Sequence, residues 1–179
     1  MYIPLSAWML YHSYAAFGWS LGFIAGLFLL AFFSWTLFEY FAHRYLFHYE
    51  ATSTLGQRIV YIFHGNHHEY PRDRMRLFMP PVPSIILAAV IFSLIYGLSA
   101  LFTGNGDYAF VYFPGFLMGY LAYVSMHYAI HAYPPPRMLK SLWRNHHLHH
   151  YKYPEKGFGV SSVFWDKVFR TEPREEIQS

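Results

Sequence analysis

Apolar residues fill three long runs of this chain with almost no polar break. They are "LGFIAGLFLLAFFSWTLF" at Leu21–Phe38, "VPSIILAAVIFSLIYGLSALF" at Val82–Phe102 and "YAFVYFPGFLMGYLAYVSMHYAIH" at Tyr108–His131. Helical residues advance ~1.5 Å each, so about 20 of them match a ~30 Å hydrocarbon core. Each run therefore predicts a membrane-spanning helix. The link "TGNGD" between the second and third runs is a short turn, which makes those two a tight helical hairpin. A fourth apolar stretch, Ile3–Phe17, is uncharged but spans only 15 residues. It reads as a short fourth span, a re-entrant piece or an interfacial helix. No Lys or Arg precedes it, so it does not read as a secretory signal.

Two segments do not span, residues 43–80 and 132–179. Within them "TLGQRIVYIFHGNHH" and "RMLKSLWRNHHLHH" read as helices, and "MPPVP" and "YPPP" mark breaks at the membrane boundary. Charge follows the same division. Only 13% of residues are charged, against about 25% in an ordinary soluble domain. All 13 Lys and Arg fall between Arg44 and Arg76 or between Arg137 and Arg174. Residues 1–38 carry no charged side chain, and between Phe78 and Pro136 there is only Asp107. Cations that flank apolar runs are the mark of cytoplasmic loops. A nucleic-acid partner would instead call for a basic face, and none is expected. With these loops cytosolic, three spans put the N-terminus outside and four put it inside.

The chemistry lies in the histidines. The chain has 12 of them and no cysteine, which excludes disulfides and thiolate metal sites. The pattern H-x-x-H-H occurs twice, at His64, His67 and His68 and at His146, His149 and His150, and each copy soon runs into Tyr-Pro. Residues at i, i+3 and i+4 share a helix face. His127 and His131 are i, i+4 and share one too. His43 and His48 are i, i+5, about 140° apart on a regular helix. They converge only if the helix is distorted, which predicts a wide turn near Tyr45–Phe47. His147 points about 100° away from His146 and is left out. His12 sits in the apolar N-terminus, outside the pattern. Ten histidines remain, in clusters of two, three, two and three. That is too many for one tetrahedral site and suits two metals with five nitrogens each. Two carboxylates bear on the same region. Glu39 lies one turn before His43, where it either orients a ligand imidazole or sits among headgroups. Asp166, in "FWDKVF", either supports the site or caps a helix. The expected fold class is an all-α integral membrane protein. It has three to four transmembrane helices and a cytosolic helical cap carrying a histidine-rich dimetal site, all within a single domain, residues 1–179.

The set H-x4-H (His43, His48), H-x2-H-H (His64, His67, His68), H-x3-H (His127, His131) and H-x2-H-H (His146, His149, His150) resembles the fatty acid hydroxylase/sterol desaturase superfamily. The stretches "WTLFEYFAHRYLFH", "HGNHHEYPRDRMRLFMPPVPS" and "GFGVSSVFWDKVF" look most like its fatty acid 2-hydroxylase branch, and the likeness covers residues 21–172. It implies a membrane-bound di-iron oxygenase that uses O2 to hydroxylate a lipid acyl chain, at C2 of a fatty acid or a fatty-acyl sphingolipid. All ten histidines would be metal ligands, with zinc a possible occupant in purified protein. Electrons would come from a separate cytochrome b5-like or ferredoxin-like donor with its reductase. The membrane would be the inner membrane of a bacterium or the endoplasmic reticulum of a eukaryote, with the metal site and C-terminus cytosolic. Tyr45, Tyr123 and Phe116 suit either an acyl channel or plain packing, and no substrate residue is assigned. The alternatives are a carotenoid or sterol hydroxylase or desaturase of the same superfamily and a non-catalytic membrane metal-binding protein. A transport path would place polar groups along the spans, whereas these clusters collect at one end.

Overall fold

The structure, a computed structural model, describes residues 1–173, and among them every regular element is helical. Helix α1 is Tyr2–Ala15, α2 is Leu21–Phe41 and α3 is Thr54–Val60. Next come α4 at Asn66–Glu69, α5 at Pro81–Thr103 and α6 at Ala109–Ala132. The last two among the described residues are α7 at Lys140–Tyr151 and α8 at Phe164–Val168. The three anticipated spans correspond to α2, α5 and α6. Each is long and apolar enough to cross a membrane, which makes the chain an integral membrane protein. With 14 residues, α1 reaches only ~21 Å, short of the ~30 Å core.

Local chemistry sets the ends. The Ser20 hydroxyl accepts from the Phe23 amide at the start of α2 (3.2 Å), and Ser53 caps α3 through the Gly56 amide (3.1 Å). Proline occupies the first turn of α5, where its missing N–H costs nothing, and α5 ends at Gly104 in a left-handed conformation (φ 73°).

The chain divides into two units, residues 1–35 with 79–122 and residues 36–78 with 123–179. In the first, α1, α5 and α6 meet around Met9, Phe113 and Leu117, with Phe92 and Ile95 against them. Here α2 and α6 touch at backbone distance. A Cβ on Gly115 would lie 2.3 Å from the Phe28 carbonyl oxygen, and one on Gly119 would lie 2.4 Å from Trp35 Cβ. This is the small-xxx-small contact of membrane helices, where close backbones replace the hydrophobic drive that lipid cannot supply. The outer face of α5 carries exposed Ile86, Val90, Leu94 and Leu101, as a lipid-facing helix should. In the second unit the core is Ile130, Leu142, Trp143 and Val160. The Trp143 indole N–H donates to the Tyr133 carbonyl (2.8 Å), and that of Trp165 donates to Thr36 Oγ1 (2.9 Å).

Candidate metal centre

All ten histidines singled out above lie in the second unit. The expected wide turn is there. Residues Ala42–Phe47 form a π-helix, and the His48 amide donates to the His43 carbonyl, an i→i+5 bond (3.3 Å). That register brings two residues five apart onto one face. A second π-helix, Tyr61–Gly65, joins α3 to α4 and was not foreseen. It carries His64 into the centre ahead of His67 and His68.

The ten rings form two groups. One holds His43, His48, His64, His68 and His149, the other His67, His127, His131, His146 and His150. Within each group one nitrogen per ring lies within 4.8 Å of the rest, and each group has three buried and two half-buried members. The partition is reciprocal. Each group takes one pair, the outer two histidines of one H-x-x-H-H motif, and the middle histidine of the other motif. The shared face expected for each triplet is thus split, because His67 and His68 are consecutive and diverge by about 100°. His147 stays outside both groups and donates Nδ1–H to the Trp143 carbonyl (2.6 Å). His12 lies apart, stacked on Trp8.

The spacing tests whether these rings suit a metal. In the first group the Nε2 atoms of His43 and His64 are 3.0 Å apart, of His64 and His68 2.8 Å, of His68 and His149 3.2 Å, and of His149 and His48 3.1 Å. In the second the chain of contacts runs His127–His67 at 2.9 Å, His67–His150 at 3.0 Å, His150–His146 at 3.1 Å and His146–His131 at 2.9 Å. Nitrogens bound at ~2.0–2.1 Å lie ~2.9 Å apart at right angles and ~3.3 Å apart at the tetrahedral angle. Most of these contacts fit the right-angled spacing, so the rings suit a shared ion. His43 Nδ1–H donates to the Phe158 carbonyl (2.6 Å) and His149 Nδ1–H to the Lys156 carbonyl (2.8 Å). A carbonyl can only accept, so each Nε2 presents a lone pair. The Nδ1 atoms of His67, His146 and His150 are buried with no partner among the described residues. Nε2 lone pairs that converge on one point repel unless a cation accepts them.

Burial keeps the rings neutral, the form that binds metal. It lowers His67 to about 3, His68 to about 4 and His149 to about 3. It also holds His64 and His146 well below the ordinary range, and neighbouring histidines add to the effect. Aromatic rings supply the dry wall. Phe47 stacks on His64 at 5.3 Å, Tyr123 stacks on His127 at 5.7 Å, and Phe158 presents an edge contact to His43 and His149. Of the other aromatics considered above, Tyr45 is exposed and Phe116 is buried.

Both carboxylates are buried. Glu39 accepts from the Val160 and Ser161 amides (2.6 and 2.8 Å), and Asp166 accepts from those of Phe158 and Gly159 (2.9 and 2.8 Å). The loop they hold, residues 156–162, supplies the carbonyls that orient His43 and His149. Backbone acceptors have no residue code, so the sequence reading missed them. The glycines flanking Phe158 in "GFG" were the available signal.

Comparison with known proteins bears on this geometry. The family model for fatty acid hydroxylase matches residues 28–171. A dihydroceramide fatty acyl 2-hydroxylase from Arabidopsis thaliana is 34% identical over 97% of this chain and 71% of its own length. A ceramide very long chain fatty acid hydroxylase from Saccharomyces cerevisiae is 39% identical over 81% of this chain, and fatty acid 2-hydroxylase from Homo sapiens 36% over 82%. This chain spans only 37% and 39% of those two proteins. The hydroxylase domain visible in the structure of full-length scs7p superposes with a TM-score of 0.87 at 34% identity, covering 97% of this chain and 64% of that one.

Proposed function

The chain belongs to the fatty acid hydroxylase family, and from that premise we propose that it is a membrane-bound, O2-dependent lipid hydroxylase acting at C2 of an acyl chain. The acyl chain is that of a free fatty acid or of a sphingolipid-like amide. The single observation that carries this reading is the convergence of ten imidazoles into two groups of five. The relatives named above, a dihydroceramide fatty acyl 2-hydroxylase and a fatty acid 2-hydroxylase among them, support the choice of substrate and position.

His43, His48, His64, His68 and His149 would hold one iron, and His67, His127, His131, His146 and His150 the other. Iron bound there supplies O2 activation and redox cycling at a carboxylate-poor nitrogen set. The protein's own residues do the rest. The Phe158 and Lys156 carbonyls fix the tautomer and ring angle of His43 and His149. Phe47, Phe158 and Tyr123 keep bulk water from the rings. In the net reaction one oxygen atom of O2 enters an acyl C–H bond and the other leaves as water. The two electrons this needs come one at a time from a separate donor, cytochrome b5-like or ferredoxin-like, and the two protons come from solvent. The flanking Lys and Arg support a cytosolic position for the histidines, where such a donor would reach them. The acyl chain would arrive from the bilayer.

Lipid mass spectrometry of cells expressing the wild type beside His149→Ala tests the reading. The expected result is an acyl species one oxygen heavier, with fragments that place the hydroxyl at C2, in wild-type cells only. A change confined to carotenoids or sterols would overturn the substrate. Unaltered lipids with a competent donor co-expressed would overturn the reaction.

A further inference from the structure

The loop at residues 156–162, "KGFGVSS", is held more firmly than a connection between two helices requires. Four consecutive backbone amides, Phe158 to Ser161, all donate to two carboxylates. The Ser161 hydroxyl adds a further bond to Glu39. Asp166 is wholly buried and Glu39 is 4% exposed. Taking two carboxylates out of water is costly unless donors surround them, and here the loop's own amides do so. Asp166 also accepts from Thr171 Oγ1 (2.7 Å), which pairs with the Tyr40 hydroxyl, which in turn accepts from Arg44. The loop cannot readily move. Gly157 has φ 75°, and a Cβ on Gly159 would lie 2.0 Å from the Ser162 carbonyl oxygen.

The peptide joining Phe158 to Gly159 is bonded at both faces. Its N–H donates to Asp166 Oδ2 (2.8 Å), and its carbonyl accepts from His43 Nδ1–H (2.6 Å). Hydrogen bonds in series polarise one another, so the carboxylate makes the carbonyl a stronger acceptor and the imidazole a stronger base. Two residues earlier, the Lys156 carbonyl accepts from His149 Nδ1–H (2.8 Å), and the N–H of that peptide, on Gly157, donates to the Thr171 carbonyl (2.8 Å). Both imidazoles belong to the same five-histidine group. In the other group, three Nδ1 atoms have no partner among the described residues.

We propose that Asp166 and Glu39 are positioning residues that stiffen this loop into a carbonyl platform for the His43 group alone, so that the two metals are held unequally. The inference rests on the two-metal reading above. The His43 group is the tighter site, and chelation empties the His127 group first. Neither carboxylate needs to touch a metal.

The test separates the sites before it touches the platform. His127→Ala leaves the His43 group intact, and His48→Ala leaves the other. Each purified variant is loaded with zinc alone, its metal content is measured, and the rate of loss to a chelator is followed. Asp166→Asn is then added to each. It should speed release about tenfold or more in the His127→Ala protein and change it by less than about twofold in the His48→Ala protein. Equal acceleration in both would make the loop a general scaffold and overturn the proposal. Should Asp166→Asn fail to fold, Ser161→Ala removes one bond and keeps both carboxylates. The same one-sided acceleration is expected from it, and a symmetric effect or none overturns the proposal. If neither parent variant retains zinc, the two-metal reading itself falls, and this inference with it. That outcome shows before Asp166 is altered.

Discussion

At the scale of single residues, neighbours in sequence part company in space. His67 and His68 are adjacent, yet they serve different groups. The ten members were legible because i, i+3 and i+4 spacing marks a helix face. The crossing was not, because it depends on which motif stands opposite. The crossing predicts a pattern of non-additivity. His67→Ala and His68→Ala should each cost one of two bound metals, and the double variant should cost both. His64→Ala with His68→Ala, drawn from one group, should cost only one. Metal analysis of the four proteins checks this, and equal loss in both double variants would contradict it. Burial predicts a pH dependence as well. It lowers His67, His68 and His149 from 6.5 to about 3, 4 and 3. Below their ordinary value the unfolded chain takes up protons that the folded chain refuses. The stability from neutral burial is therefore fully present above 6.5 and is lost as pH falls toward 4 and 3. Melting of the metal-free protein should be level above that window and fall steadily within it. A melting temperature flat across the window would contradict the assignment.

At the scale of elements, the three spans were readable almost to the residue, since hydropathy and length decide them. Backbone events inside elements were less so. The π-turn at Ala42–Phe47 followed from five-residue spacing, whereas the one at Tyr61–Gly65 has no such marker, since its single histidine pairs with others at ordinary helical spacing. The contact at Gly115 and Gly119 was present in the sequence as "GFLMG" but lay inside an apolar run that already had an explanation. It yields a paired prediction. Gly119→Ala puts a Cβ 2.4 Å from Trp35 Cβ and should destabilise the protein by about 1–3 kcal/mol through overpacking. Gly97 has nothing within 4 Å, so Gly97→Ala should be neutral or stabilising by up to about 1 kcal/mol. Thermal unfolding in detergent measures both, and equal effects would argue against a close contact of α2 and α6.

At the scale of the whole molecule, charge and chemistry keep to the same residues. The unit formed by residues 36–78 and 123–179 holds all 13 Lys and Arg and every histidine but His12. The other unit holds one charged side chain, Asp107. That partition was visible as two polar segments between apolar runs, and it is why a lipid-metabolising site could be read from the sequence. The proposed acyl position and the proposed donor leave no such trace, since the one would depend on shape and the other on a second protein. The central claim is that oxygen from O2 enters an acyl chain at the ten-histidine centre. Isotope labelling tests it most directly. Purified, iron-loaded protein is supplied with reductant, a lipid substrate and oxygen-18 gas in ordinary water, and the product is read by mass spectrometry. The account predicts a C2 hydroxyl that carries the heavy isotope, and no product from His67→Ala or His68→Ala. A hydroxyl labelled only when the isotope is in the water, or a product that survives both substitutions, would contradict it.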